Sequence, residues 1–492
     1  MANRQEKTKE QKEADKLAEY KSTLTNDELE ELVKKTKELK EYQDTPSSQE
    51  DLEKIPMLEL SDIKREPAKD YNDVKSVDGI KIVHHNIFTN KIAYINMSFD
   101  TKCVPDELIP YMGLLGSTLS LMDTKNYTYP ELTNEININC GGLATGTALY
   151  SDKVDFSKNT IVYEVKSKAL YEKVPFVLGM MEEIMYNTRF DDYKRLKEII
   201  ARIKSRLEAS LMGQGHSIAM LECCAQFSES AYYSDILRGY KYYEFIKKLD
   251  EEFEQNKTQI VDKLNKLVGY IFNKDNVIVS LTADDEGYDC FVKALSAKSC
   301  NIKDEHYNTA VRSFIPVNVK TGYTSASQVQ YVARCGNFVK DGYKYTGALK
   351  VLKVIFSYDY LWINVRVKGG AYGCMSGSSR NGDFYMVSYR DPNLEKTNDI
   401  YEGAADYIRN FNVSRRDMVK FIIGTIGEID APLTPSAIGS RSFTHYMCNC
   451  TEDMLRKDRE EVLDATVESI RELAPLIESA VGQNYLCVVG NQ

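Results

Sequence analysis

Two adjacent glycines, Gly369 and Gly370, constrain the stretch Arg366-Val-Lys-Gly-Gly-Ala-Tyr372-Gly373 more than any other feature of the chain. Residues without a Cβ readily make the turn that stops a helix and releases a strand. Upstream, Leu349, Leu352, Val354, Ile355, Phe356, Leu361 and Val365 follow helical spacing, which places Arg366 in a last helical turn. Downstream, Asn381-Gly382 separates the stretches 371–379 and 384–389, a strong hairpin signal that makes Tyr372 the opening residue of a strand. A guanidinium and a phenol thus leave two rigid elements side by side. Such a pair can donate together to one carbonyl oxygen as it turns negative during acyl attack. Spacing alone favours the plainer reading, a surface arginine and a half-buried tyrosine beside an ordinary turn.

With 492 residues, 43% of them hydrophobic, the chain has room for about three units with sizeable cores. Its 63 basic and 73 acidic residues give a net charge of -10, which argues against nucleic-acid binding and mildly favours basic peptides as partners. No run of 18 or more apolar residues is present, so no membrane span is expected, and the polar start Met-Ala-Asn-Arg-Gln-Glu-Lys lacks the apolar core of a signal peptide. The odd number of cysteines, 11, scattered among apolar and loop positions, reads as reduced thiols. The expected location is therefore the cytoplasm, with an organelle matrix as the alternative. Cys223-Cys224 and His445-x-x-Cys448-x-Cys450 lack a second ligand pair at finger spacing and read as thiols rather than as a zinc site.

Along the chain, residues 1–66 are lysine- and glutamate-rich, with a narrow apolar stripe at helical spacing and a break at Thr25-Asn26-Asp27-Glu28 that offers an N-cap at Thr25 or Asn26. A domain over 67–312 opens with strands at 79–83 and 92–99 and a long apolar helix over 108–122. Further helices are expected over 131–139, 170–186, 193–212, 216–227 and 249–272, with strands at 143–150, 159–165 and 276–281. His216 has no acid partner in view and reads as a capping or core histidine. A second domain over 313–492 repeats this order: a strand at 329–333, a long helix from Tyr345, the Gly-Gly turn, a hairpin, helices at 400–410 and 415–428, one C-terminal helix over 459–481 and a last buried strand at 485–490.

Several separated motifs then occur in order: Leu29 to Lys40 in the charged arm, Gly215-His216-Ser-Ile-Ala-Met220, the Arg366 to Gly373 stretch, Ser388-Tyr389-Arg390-Asp391-Pro392-Asn393, and Asp430-Ala-Pro-Leu-Thr-Pro435-Ser436. Over nearly its whole length the chain resembles the C-terminal half of presequence-protease-type zinc metallopeptidases, in the pitrilysin and insulinase superfamily. That resemblance implies an α+β fold: two related α/β sandwich domains of the pitrilysin/insulinase type, preceded by a helical hairpin arm that joins two halves of a clamshell. It implies that Arg366 and Tyr372 are the catalytic pair reaching the scissile carbonyl, with Gly369, Gly370 and Arg390 as substrate-binding candidates; for Arg390 an ion pair with Asp391 or a neighbouring helix is the plainer role. No metal site is implied in this chain. The helix expected at Ile109 to Leu119, which in the family's catalytic domain carries an inverted His-x-x-Glu-His motif, has no histidine or carboxylate here, and none of His84, His85, His216, His306 and His445 stands at the needed offsets. Zinc is expected in an N-terminal half, on the same polypeptide or a separate subunit. The implied partners are that half and unfolded peptide substrates. The alternative is a non-catalytic peptide-binding or assembly subunit of the same fold.

Overall fold

The computed structural model describes residues 9–297, 301–325 and 328–490, apart from 46, 47, 49, 52, 53 and 57. The chain divides into two units, Met1–Asp62 and Ile63–Gln492.

In the first unit, helices Lys9–Thr23 and Asn26–Asp44 meet at Thr25, whose side chain accepts from the Glu28 amide while Glu28 returns to the Thr25 amide. This reciprocal cap satisfies donors that a helix start leaves open. Along these helices Leu17, Tyr20, Leu32, Val33 and Leu39 are exposed.

The second unit holds two mixed sheets built on one plan. The first contains β1 (Asp73–Val77), β2 (Ile80–Asn86), β3 (Ile92–Asp100), β4 (Leu143–Ser151), β5 (Asn159–Leu170) and β6 (Val277–Ala283), in the order β1-β2-β6-β3-β5-β4. The second contains β7 (Thr321–Thr324), β8 (Tyr331–Asn337), β9 (Gly373–Ser378), β10 (Asp383–Tyr389) and β11 (Tyr485–Gly490), in the order β7-β11-β8-β10-β9. Without β1 the two are superimposable in connectivity: in each the last strand of the chain segment inserts parallel to the first and antiparallel to the second, and a hairpin closes the far edge. The repeat expected from the element order is therefore present in the topology.

Period-2 alternation sends neighbouring residues to opposite sheet faces. Ile80 and Ile82 of β2, with Ile161, Tyr163 and Val165 of β5, join the main core beneath helices Ile109–Thr118, Val174–Tyr186 and Phe253–Ile271. Val83 and Val162 face the other way, into a smaller core with Tyr150 and Phe443. Phe443 belongs to the helix Pro435–Met447, which comes from the far half of the unit. The reverse exchange covers the second sheet: helix Gly215–Ala225 packs Ala219 and Cys223 against Tyr331, Ala333, Val387 and Val489. Both exchanged helices seat a glycine at closest approach. A Cβ on Gly215 would lie 2.3 Å from the Tyr331 ring and one on Gly439 would lie 1.8 Å from Thr282 Oγ1.

Several sequence expectations are corrected. The helix expected over 459–481 is three, Glu452–Leu463, Val467–Arg471 and Ala474–Gly482, restarted by a reciprocal cap between Thr466 and Ser469 and by a proline in the first turn of the last. The one expected over 249–272 is two, Tyr240–Glu251 and Phe253–Ile271. Helix 108–122 is shorter, Ile109–Thr118, because Leu121 and Met122 turn back to bond the Thr118 carbonyl. Helix Glu229–Arg238 and the short parallel strand β7 were not expected. No helix among the described residues is long and apolar enough to cross a membrane.

Candidate active site

The helix that delivers Arg366 starts as a regular α-helix, Ala348–Ile355, and continues through wide π-type turns, Phe356–Tyr360 and Trp362–Val367. Wider turns shift side chains off the 3.6-residue register, a deformation that recurs at functional positions. The helix ends as the two glycines require: the Gly370 amide donates to the Arg366 carbonyl, the Ala371 amide to Val365, and Gly370 adopts φ +81°, where a side chain would be strained. Gly369 has no room for a Cβ, which would meet the Val365 carbonyl oxygen at 2.4 Å, and its own carbonyl accepts from the Asn393 side chain.

Arg366 therefore sits in the last helical turn, as expected. Its guanidinium lies 3.7 Å over the ring of Trp362, the one tryptophan of the chain, and 6.0 Å from the centre of the Tyr372 ring. An arginine stacked on an aromatic face keeps its in-plane donors available. Tyr372 stands one residue before β9; its amide is shared between the carbonyls of Tyr389 and Arg390, so β10 fixes its backbone. The Tyr372 side chain is 67% exposed and meets the ring of Tyr389 edge to face. Among the described residues neither the Arg366 guanidinium nor the Tyr372 hydroxyl has a hydrogen-bond or ion-pair partner. The hairpin turns at Asn381-Gly382, with positive φ at Gly382 alone.

Arg390 departs from its expected ion pair with Asp391. That carboxylate is buried and accepts from the Asn393 amide and the Thr397 hydroxyl, while Arg390, exposed and at φ +49°, holds its guanidinium over the Tyr389 ring. Below the pair, burial pushes the Cys374 thiol up to about 12, partly offset by the Arg366 charge. It remains a protonated, inert thiol.

Sequence reasoning missed the support behind the pair. His216, at the start of the exchanged helix, meets Tyr389 edge to face with ring centres 4.9 Å apart and lies beside Tyr331. Its Nδ1 is buried without a partner, and burial lowers its basicity, so the ring is neutral. No local signal links 216 to 389; only the helix exchange does. The assembled cluster of Arg366, Tyr372 and Arg390 offers hydrogen-bond donors and no carboxylate. It can bind a carbonyl or an oxyanion, but it supplies no general base.

The remaining histidines are engaged elsewhere. His84 pairs with the Ala283 carbonyl, His85 with Ser280 and Tyr71, and His445 with Asp70 at 2.6 Å. Among the described residues, the one group of three potential metal ligands with donor atoms within 4.8 Å of one another is the exposed set Asp275, Asp304 and His306.

Residues 2–249 match the family model for the domain associated with subfamily C of the M16 peptidases, and residues 322–490 match the "PreP C-terminal domain". Protein HypA of Clostridium perfringens is 39% identical over 482 residues, covering 97% of this chain and 49% of that protein. Presequence protease 1, chloroplastic/mitochondrial, of Arabidopsis thaliana is 30% identical over 467 residues, covering 94% of this chain and 43% of that protein. The chain thus spans about half the length of these relatives. The fold is similar to a peptidase M16 inactive domain from Pseudomonas fluorescens, with a TM-score of 0.58 at 14% identity over 86% of this chain and 98% of that one. With both family models matching in order around one repeated sheet plan, the chain belongs to subfamily C of the M16 peptidases, in the pitrilysin/insulinase superfamily, and corresponds to the C-terminal half of the presequence proteases.

Proposed function

We propose that this chain is the non-zinc half of a zinc metalloendopeptidase that degrades unstructured peptides, and that it lends Arg366 and Tyr372 to a metal centre on an N-terminal half. The observation that carries the reading is the pairing itself: a guanidinium 6.0 Å from an exposed phenol ring, both without partners among the described residues. Leaving two strong donors open on rigid elements has little structural use, whereas a developing oxyanion needs such donors preorganised. Zinc held by the other half would supply polarisation of the carbonyl and activation of the water. Here Arg366 holds the substrate carbonyl or backbone, and Tyr372 donates a hydrogen bond from its hydroxyl to the oxygen as charge builds. Gly369 and Gly370 make the tight turn that leaves the two donors side by side beneath the substrate backbone, and Arg390 adds positive charge at its rim.

This half alone is inactive in the proposal, because none of its histidines is paired with a second histidine and a glutamate at the spacing of the inverted motif. The described cysteines are free thiols, which suits a reducing compartment such as the cytoplasm. Mixing the chain with a zinc-bearing half should restore cleavage of an unstructured peptide. Tyr372→Phe should then lower turnover about 100- to 1000-fold, the usual loss for one oxyanion donor. Full activity in the phenylalanine variant would sink the catalytic role and leave a peptide-binding or assembly subunit.

A further inference from the structure

A cleft of about 590 Å³ opens between helices Ile109–Thr118 and Tyr193–Gly213 and the edge strand β4, on the first sheet and apart from the Arg366 and Tyr372 cluster. Three arginines line it: Arg202 and Arg206, one turn apart on the longer helix, and Arg238 at the end of helix Glu229–Arg238. No aspartate or glutamate is among its lining residues, in a chain with 73 acidic against 63 basic residues. All three arginines are exposed, and among the described residues none has an ion pair or hydrogen bond. Like charges at i and i+4 repel and cost helix stability. Neither arginine is ion-paired among the described residues, and an anion placed between the two would offset that repulsion.

The inner wall adds an independent sign. Tyr242 is 4% exposed and its hydroxyl is buried with no hydrogen-bond partner. Its ring fits only because Gly113 has no side chain, since a Cβ there would lie 2.7 Å from the ring. A buried hydroxyl left unpaired is costly, and an acceptor from a ligand would remove the cost. The floor is backbone: Gly116 approaches Gly146 so closely that a Cβ on Gly116 would be 3.3 Å from the Gly146 Cα, and a Cβ on Gly146 would project into open space.

We propose that this cleft binds a small, multiply charged oxyanion, a phosphate chain or a polycarboxylate, held by the guanidinium forks of Arg202, Arg206 and Arg238 and by the Tyr242 hydroxyl. Planar guanidinium forks match both oxyanion types bidentately. The volume exceeds the needs of a single phosphate and suits a ligand of several linked charged groups. The site does not depend on the role of Arg366 and Tyr372.

Calorimetric titration of the 492-residue chain with inorganic tripolyphosphate, and separately with citrate, tests this. Saturable one-to-one binding of at least one of them is expected, weakening as salt rises because the contacts are ionic. Stronger binding of tripolyphosphate identifies a phosphate chain as the preferred source, and stronger binding of citrate a polycarboxylate. The double variant Arg206→Gln, Arg238→Gln should weaken binding at least about 10-fold, the scale expected for losing charge-assisted bonds. Gly146→Asp keeps all three arginines and adds a carboxylate on the open floor; it should weaken binding comparably. A thermal melt confirms that each variant is folded. No saturable binding of either anion at millimolar concentration, or equal affinity in both folded variants, would overturn the proposal.

Discussion

His216 and Tyr389 meet edge to face with ring centres 4.9 Å apart, and Tyr389 in turn carries the exposed ring of Tyr372 at 5.8 Å. The phenol proposed to serve catalysis is thus braced by a helix contributed from the other half of the folded unit. An aromatic contact of this kind is worth about 0.5–1.5 kcal/mol beyond its area. His216→Ala should cost about 1 kcal/mol in urea unfolding. In the complemented peptidase it should lower kcat several-fold with little change in KM, because the donor remains and only its placement loosens. His216→Phe should restore most of the rate; a phenylalanine variant as slow as the alanine one would rule out the brace.

Arg366→Lys is a severe change here. The lysine keeps one charge but loses the planar fork and the stack on Trp362 at 3.7 Å. Turnover in the complemented enzyme should fall about 10- to 100-fold, while the unfolding midpoint should move little, since the guanidinium has no hydrogen-bond partner among the described residues. Steady-state kinetics and a denaturant melt on the same preparation separate these effects.

Glycine substitutions should divide by the space around each Cα. Gly336→Ala places a Cβ 1.9 Å from the Ala480 carbonyl oxygen, a backbone atom that cannot rotate away. A loss of about 3 kcal/mol is expected, at the upper end for overpacking. Gly427, inside helix Arg415–Ile429, has nothing within 4 Å of the position its Cβ would take. Gly427→Ala should stabilise by about 0.5–1 kcal/mol through helix propensity and a less free unfolded chain. Chemical denaturation of the two variants provides the comparison.

His85 is fully buried between the Tyr71 carbonyl and the Ser280 hydroxyl, and burial pushes its pKa from 6.5 down to about 4. A histidine with a depressed folded pKa releases its proton on folding, so its contribution is present near neutral pH and is lost as pH falls from 6.5 toward 4. The loss between about pH 7 and pH 5 should be about 2 kcal/mol. The buried Asp235 works against it. Burial and the neighbouring Glu222 raise its carboxyl above the ordinary range, so its contribution favours low pH and fades as pH rises past the usual carboxylate values. The two effects oppose each other between about pH 5 and pH 7, so the unfolding free energy should rise with pH more in Asp235→Asn than in the wild-type chain, and should fall with pH in His85→Gln, where the aspartate effect is left unopposed.

Local chemistry made much of this structure legible in advance. Gly369 and Gly370 announced the end of the helix under Arg366, Asn381-Gly382 announced the hairpin, and the break at Thr25-Asn26 announced a cap, which Thr25 supplies, because each is a short-range event decided by a few dihedrals and hydrogen bonds. Long apolar periodicity was less reliable at boundaries: 459–481 carries one helical pattern but breaks twice, where Thr466 and the following proline restart the backbone. The π-type turns that set Arg366 over Trp362 leave no mark in a pattern of period 3.6. Least visible was the aromatic support of the site. Tyr331, Tyr389 and His216 lie on three distant segments, and only the crossing of helix Gly215–Ala225 onto the second sheet brings them together.

That crossing, matched by helix Pro435–Met447 on the first sheet, limits how the repeat can be inherited. Each copy has surrendered one layer of its roof to its sibling, so neither is a transferable module. A gene split or permutation in the connection between the sheets would strand two half-covered fragments, each waiting for the other before it could close. Once duplicated in this form, the pair can drift in sequence as far as it likes but can be lost or kept only together.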